Sequence, residues 1–126
     1  KNIFDRAKYV IEENERVKKA VKFLINSDLN SFGDLMYQSH KGLKNLYDVS
    51  CEELNYLVDF TKYDKDILGA RMMGGGFGGC TINLIHSRYI NKFLEKVSEA
   101  YFKKFSINLM SHIINLDCGL RKENIK

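Results

Sequence analysis

The apolar residues in the first fifth of the chain recur at the period of an α-helix. They are Val10, Ile11, Val17, Val21, Leu24 and Ile25, which fall on one side of a helix and have charged residues between them. This spacing predicts a first helix from about Asn2 to Ile25. The stretch "NSDLNSFGD" then supplies stop and start signals around Asn26 to Ser31. A second helix is predicted after it, with one apolar face formed by Phe32, Leu35, Met36, Leu43 and Leu46.

A third helix is predicted from the motif "SCEE". In this motif the Ser50 side chain can accept the free amide of Glu53 while Glu53 reaches back, which is the pattern of a capping box. The residues that follow turn an apolar face inward, at Leu54, Leu57, Val58 and Thr61. This helix is expected to end near Tyr63, in the polar turn "KYDKD".

The pattern then changes to short apolar runs of strand length. Ile67 to Met73 and Cys80 to Ile85 are the first two runs. Helical period returns from Arg88 to Phe105, with Ser87 as a candidate cap, and a last strand is predicted from about Met110 to Leu116 before the tail "DCGLRKENIK". The order α-α-α-β-β-α-β predicts an α+β domain whose antiparallel sheet has helices packed on one face.

Composition narrows the class of protein. The 126 residues, 44% apolar and 29% charged, suit one soluble globular domain spanning 1–126. No run resembles a membrane-spanning helix or a secretory signal, and the start at Lys-Asn-Ile rather than Met suggests a piece of a longer protein. The three cysteines, Cys51, Cys80 and Cys118, show no metal-ligand spacing. They are interpreted as reduced thiols of a cytoplasmic protein without a metal site.

Charge gives no sign of a nucleic-acid partner. The net charge is +4, and the lysines alternate with acids along helical patterns. A nucleic-acid module usually carries a basic stripe with interleaved aromatic residues or a recognisable motif, and neither is visible. We therefore expect no nucleic acid among the partners.

The unusual chemistry of the chain lies in "GARMMGGGFGGC", from Gly69 to Cys80. Gly74, Gly76 and Gly79 satisfy G-x-G-x-x-G, but a strand rather than a helix follows, which excludes a dinucleotide fingerprint. A Walker-type phosphate loop is excluded too, because Cys-Thr follows instead of Lys-Ser/Thr. A glycine-rich link between two strands remains.

Two interpretations of this link stay open. It is a hairpin with several positive φ angles, or its backbone is approached closely by a ligand, with consecutive amides forming an anion-binding nest. One or two glycines suffice for a hairpin, so the five between Gly74 and Gly79 favour the ligand. Phe77 either pins the loop to the core or forms the wall of a pocket, and of the two we favour the pin.

The same stretch, "GARMMGGGFGGCTINLI", resembles the third signature of galactokinases, within the group of small-molecule kinases that includes homoserine and mevalonate kinases. The family pattern is close to Gly-Ala/Ser-Arg-Met-Thr-Gly-Gly/Ala-Gly-Phe-Gly-Gly-Cys. Residues outside the loop also fit, in "RAKYVIEENERV" with Glu13 and Arg16, and in "FGDLMYQSHKGLKNLYDVSCEEL" from Phe32. The likeness spans nearly the whole chain and corresponds to the C-terminal part of a galactokinase. Three positions depart from the pattern: Gly42, Asn55 and Met73, which replaces the usual Thr.

The resemblance implies transfer of the γ-phosphoryl group of ATP to the anomeric hydroxyl of galactose, with Mg²⁺, in the full-length protein. The family's catalytic Asp and Arg lie in its N-terminal part, so no catalytic residue is assigned in this chain. The implied role of this chain is to line the active-site cleft with Gly74, Gly75, Gly76, Phe77, Gly78 and Gly79. Possible support for this loop comes from Arg71, Met73 and Cys80.

Several roles and partners are left as alternatives. Arg71 pairs with an acid under the loop or reaches a phosphate, Cys80 is expected to be small and buried, and His40 to be a buried structural residue. Partners are galactose, ATP and the N-terminal domain of the same chain, and the isolated chain is expected to expose an apolar face and self-associate. Alternative functions are a non-catalytic galactose and ATP sensor, or a kinase for a related sugar such as N-acetylgalactosamine.

Overall fold

The computed structural model describes residues 2–115. Four helices and one antiparallel pair of strands form the domain, which confirms the α+β class. In chain order the elements are α1 (Asn2–Ile25), α2 (Leu29–Gly42) continued by a π-helical turn (Leu43–Tyr47), α3 (Glu52–Thr61), β1 (Ile67–Met73), β2 (Cys80–Ile85) and α4 (Ile90–Phe105), which a short 3₁₀ turn (Ser87–Tyr89) precedes. No helix among residues 2–115 is long and apolar enough to cross a membrane.

The predicted last strand is wrong for the part of it that the structure describes. Residues 107–115 form neither helix nor strand, and Met110, Ile113 and Ile114 are exposed. An apolar run forms a strand only where a neighbouring strand supplies backbone hydrogen bonds. Among the described residues, β1 and β2 pair only with each other. Leu116 and the tail lie outside the described residues.

Two predicted helix caps are also wrong. Helix α3 begins one residue later than a Ser50 cap requires, because Cys51 occupies the N-cap without a side-chain hydrogen bond. The Ser50 hydroxyl instead donates to Asn55 Oδ1 at 2.8 Å. Ser87 lies in the 3₁₀ turn, and Tyr89 is the N-cap of α4. The cap found between the first two helices is Asp28, whose carboxylate accepts the amide of Ser31 at 3.0 Å.

Strand β1 lies at the centre of the packing. On one side a cluster of Leu57, Ile67, Phe93, Val97 and Tyr101 joins it to α3 and α4. On the other, Tyr9, Leu43, Leu54 and Met72 join it to α1, the π-helical turn and α3. Strand β1, which leads into the glycine loop, is therefore held by side chains of α1, the π-helical turn, α3 and α4.

Helix α2 touches β1 backbone to backbone. A Cβ atom on Gly33 would lie 1.9 Å from the carbonyl oxygen of Leu68, and one on Gly69 would lie 2.5 Å from the Cα of Gly33. Real Cβ atoms are not found at such distances, so both positions need glycine for this close approach. The contact fixes the height of β1 above α2 and hence the position of the loop at its end.

Candidate functional site

The glycine loop connects the ends of the antiparallel hairpin. Met73 pairs with Cys80, and the six residues between them, 74–79, leave the ladder. Five of these six residues have positive φ angles: Gly74, Gly76, Phe77, Gly78 and Gly79. This is a backbone path that few residues other than glycine adopt, which explains the local composition. A two-residue hairpin turn is thereby ruled out, and the loop is a wider structure.

The inner side of the loop is fixed to the segment between the π-helical turn and α3. The amide of Phe77 donates to the carbonyl of Val49 at 2.7 Å. A Cβ atom on Gly76 would lie 2.0 Å from that same carbonyl oxygen. Because φ at Gly76 is +85°, two separate constraints require glycine there. The tip of the loop is therefore clamped, and its shape depends on a carbonyl group nearly thirty residues earlier in the chain.

The outer side of the loop is open. Cβ atoms built on Gly74, Gly75 and Gly78 would meet no atom of the described residues within 4 Å. Gly75 is the informative case, since its φ lies outside the left-handed region as well. Neither backbone conformation nor a contact within residues 2–115 requires glycine at this position. Space for something other than the described residues is the remaining physical reason for its small size.

Phe77 does not pin the loop to the core, contrary to our preferred interpretation. Its side chain is 78% exposed, and its φ of +58° is rare for an aromatic residue. The left-handed conformation turns the amide toward Val49 and the ring away from the domain. The backbone of Phe77 holds the loop, and the ring stands at its surface beside the open glycines.

Met73 and Cys80 flank the loop on its exposed side. Residues directly opposite each other on antiparallel strands share one face of the sheet, and these two are paired and both exposed. The expectation that Cys80 is buried is therefore wrong, because it lies at the loop end of β2, opposite the exposed Met73. Met73 is about half exposed and stands where its side chain can reach whatever occupies the open side of the loop.

Arg71 is held by an acidic residue of α1. Its Nη1 lies 3.3 Å from Glu13 Oε1, and its Nε donates to the carbonyl of Met72 at 3.0 Å. Glu13 also accepts hydrogen bonds from Ser39 Oγ and Arg16 Nε, each at 2.7 Å. Of the two alternatives for Arg71, the structure thus shows the ion pair beneath the loop. One carboxylate joins α1, α2 and β1.

The electrostatics of Glu13 follow from this arrangement. Burial raises the pKa of its carboxyl group, but hydrogen bonds from Ser39 and Arg16 and the charges of Arg16 and Arg71 oppose it. Together they outweigh burial and bring the pKa of Glu13 below its ordinary value of 4.5. Glu13 is therefore ionised at neutral pH and serves as the fixed anion of the network.

His40 supports the strand from the helix side, as expected for a buried structural residue. Its Nδ1 accepts the amide of Met72 at 3.2 Å, so the neutral ring carries its proton on Nε2. Burial lowers the pKa of His40, and the weaker opposing effects of the Asn55 side chain and the Asp59 charge do not cancel this shift. Protonation would remove the acceptor that holds Met72, one residue away from the exposed flank of the loop.

The donor set of this site suits an anion better than a metal ion. No group of three or more His, Cys, Asp or Glu side chains within residues 2–115 is placed to hold a metal ion. Backbone amides of a glycine loop with positive φ angles are, in contrast, ordinary ligands for phosphate oxygens.

Two contributors to the site escaped the sequence analysis. Val49 acts through its carbonyl group, which no side-chain pattern reveals. Glu13 was noted only as part of a resemblance, and its spacing of 58 residues from Arg71 gave no local signal of an ion pair. The glycine pair of α2 and β1 was equally invisible, although an isolated Gly33 in a helix could have suggested a close backbone contact.

Comparison with known proteins places this geometry in a family. Residues 18–103 match the family model described as "GHMP kinases C terminal", which covers more than half of the chain and includes the glycine loop. The chain belongs to the GHMP kinase family. Within it, the match is to the C-terminal domain of these kinases, and the hairpin and its glycine loop lie within the matched residues.

Individual GHMP kinase relatives are galactokinases. The chain is 45% identical over 117 residues to the galactokinase of Thermotoga maritima, and 39% identical over 119 residues to that of Clostridium acetobutylicum. These alignments cover 93% and 94% of the chain but 33% and 31% of the relatives. The chain thus spans about a third of the length of the curated relatives it matches.

A solved GHMP kinase shares the fold as well. The structure titled "Crystal Structure of Lactococcus lactis Galactokinase Complexed with Galactose" superposes with a TM-score of 0.81 at 34% sequence identity. The superposition covers 86% of this chain and 28% of the other. This likeness confirms the fold class and the resemblance to galactokinases that the sequence motifs indicated.

Proposed function

We propose that this chain is the C-terminal domain of a galactokinase and that it lines the active-site cleft with loop 74–79. The observation that carries the proposal is the open side of the loop around Gly75, which nothing in the described residues explains. Similarity to galactokinases over more than nine tenths of the chain supports the choice of reaction. The clamp at Val49 and the ion pair at Arg71 then serve to hold the loop in one shape.

In the proposed reaction, the anomeric hydroxyl oxygen of galactose forms a bond to the γ-phosphorus of ATP. The bond between this phosphorus and the oxygen that bridges to the β-phosphate breaks, ADP leaves, and the hydroxyl proton passes to a base. Such transfers depend on positioning and charge stabilisation. This chain contributes backbone amides and steric room, and the base and the main phosphate-binding groups come from the rest of the protein. We place the protein in the cytoplasm, where its substrate ATP is abundant.

The experiment compares the complete protein with residues 1–126 alone. ADP release is followed with Mg-ATP and, in separate assays, galactose, N-acetylgalactosamine and no sugar. We expect galactose-dependent ADP release from the complete protein and none from the isolated chain. Binding of galactose and ATP without turnover would replace the proposal by a sensor, and a preference for N-acetylgalactosamine would replace it by a related sugar kinase. Turnover by the isolated chain would refute the assignment of catalysis to the rest of the protein.

A further inference from the structure

Helix α1 packs against the domain through its polar side. The residues that face the other elements include Tyr9, Glu13 and Arg16, and they form the hydrogen-bonded network with Ser39 and Arg71. An amphipathic helix at the surface of a globular protein normally packs in the opposite way, with its apolar stripe toward the core. The orientation of α1 is therefore inverted relative to its sequence pattern.

The opposite side of α1 is an exposed apolar stripe. Its members share the helix face away from α2, and each is between 45% and 86% exposed: Ile3, Phe4, Val10, Ile11, Val17, Val21, Leu24 and Ile25. At a rise of 1.5 Å per residue the stripe extends for roughly 33 Å. Single exposed apolar residues are ordinary, but eight of them on one side of a single helix mark an interaction surface.

The stripe could be buried if α1 were rotated about its axis, but the ion pairs of its polar side oppose such a rotation. Turning the stripe inward would expose Tyr9 and separate Glu13 from Arg71 and Ser39, both of which belong to the support of the loop. The contacts of the polar side thus hold α1 with its stripe facing outward. A partner that covers the stripe would need an apolar surface.

We propose that the apolar stripe of α1 is the docking surface for the remainder of the complete protein, and this rests on the proposed function. The relatives are about three times as long as the part of them that this chain matches, so a body of ample size is available. The charges of α1 indicate the chemistry of the surface that docks on it. From Arg16 to Ile25 the helix carries Lys18, Lys19 and Lys22 and no acid. We expect acidic residues on the docked surface near this end.

Cysteine labelling in the complete protein tests the proposal. Ile11→Cys and Val21→Cys place a thiol in the stripe, and Lys8→Cys and Lys19→Cys are matched controls on exposed polar positions of the same helix. Alkylation by N-ethylmaleimide is followed peptide by peptide by mass spectrometry, which separates the introduced thiols from the native Cys51, Cys80 and Cys118. Oligomeric state is measured in parallel by light scattering. We expect the stripe thiols to react at least tenfold more slowly than the control thiols in the monomer.

Two outcomes would overturn the proposal. Equal labelling rates in a monomer would mean that the stripe is uncovered, and protection that appears only with dimer formation would identify a second copy as the occupant. Galactose-dependent ADP release by the unlabelled protein reports on the proposed function separately. A protected stripe in a protein that does not phosphorylate galactose would refute the proposed function but support the docking surface. An unprotected stripe in a protein that does phosphorylate galactose would refute the docking surface but support the proposed function.

Discussion

The amide of Phe77 donates to the carbonyl of Val49 at 2.7 Å and fixes the tip of the glycine loop to the helical part of the domain. The side chain of Phe77 takes no part in this contact and is mostly exposed. A backbone hydrogen bond, and not a buried aromatic ring, thus determines where the loop lies. The shape of the loop should accordingly be sensitive to its backbone more than to the identity of residue 77.

Gly76→Ala should destabilise the loop, because the new Cβ would meet the Val49 carbonyl and the residue has a left-handed φ. Together, the contact and the left-handed φ should lower the free energy of unfolding by about 1–3 kcal/mol. Gly75→Ala is the matched control, with open space and no positive φ, and should change stability by less than about 1 kcal/mol. Thermal unfolding of the complete protein and its variants measures both. Equal effects of the two substitutions would contradict the clamp.

Glu13→Gln should weaken the support of β1. The amide cannot serve as an anion for Arg16 and Arg71, and a partly buried hydrogen-bonded charge contributes about 1–3 kcal/mol to stability. Because the folded pKa is lowered, this contribution is complete above pH 4.5 and is lost as the pH falls through the folded pKa. Urea unfolding of wild type and variant at pH 7 and pH 3 checks both statements.

Glu15→Gln, at an exposed ion pair, is the control for Glu13→Gln and should have no measurable effect. A stability difference that is equally large at pH 7 and pH 3 would rule out a role of the Glu13 charge.

His40 should make the protein less stable in mild acid. Its folded pKa is lowered by burial from the ordinary 6.5, so below that pH the unfolded chain binds a proton that the folded chain does not. Stability is unaffected above pH 6.5 and falls by about 1.4 kcal/mol per pH unit until the folded pKa is reached. His40→Asn retains an acceptor for the Met72 amide without titrating. Unfolding curves between pH 7.5 and 5 should show a smaller slope for this variant, and an identical slope would exclude His40 as the cause.

Met73→Thr should leave stability nearly unchanged, because the side chain is half exposed at the loop end of the hairpin. The galactokinase pattern has Thr at this position, and if its hydroxyl contributes to phosphoryl transfer, kcat should rise. Steady-state kinetics of the complete protein with galactose measures the effect. An unchanged kcat would show that the backbone of the loop suffices without the hydroxyl.

Local patterns in the sequence were enough to predict most elements of the fold. Helix α1 and both strands have the predicted bounds, because period and apolar runs are short-range signals. The failures concern features that depend on distant partners. The strand predicted from Met110 lacks a neighbouring strand among the described residues, and Ser50 lost its capping role because α3 starts at Glu52.

The candidate site was predictable in composition but not in geometry. The glycines of residues 74–79 identified the loop, yet the contacts that shape it come from Val49, Glu13 and His40 on other elements. The predictions that Phe77 packs against the core and that Cys80 is buried were wrong for a related reason. Apolar character predicts burial only when another surface covers the residue, and that information lies in the strand pairing and in the parts of the protein beyond this chain.

The most direct test of the account compares Gly75→Ala with wild type in the complete protein, by kcat/KM for galactose and by thermal unfolding. A methyl group at Gly75 meets nothing in the described residues, so it should affect only what occupies the open side of the loop. The account predicts a fall in kcat/KM of at least tenfold, with the unfolding temperature preserved. Unchanged kcat/KM in a normally stable variant would contradict the claim that this loop lines the site of phosphoryl transfer.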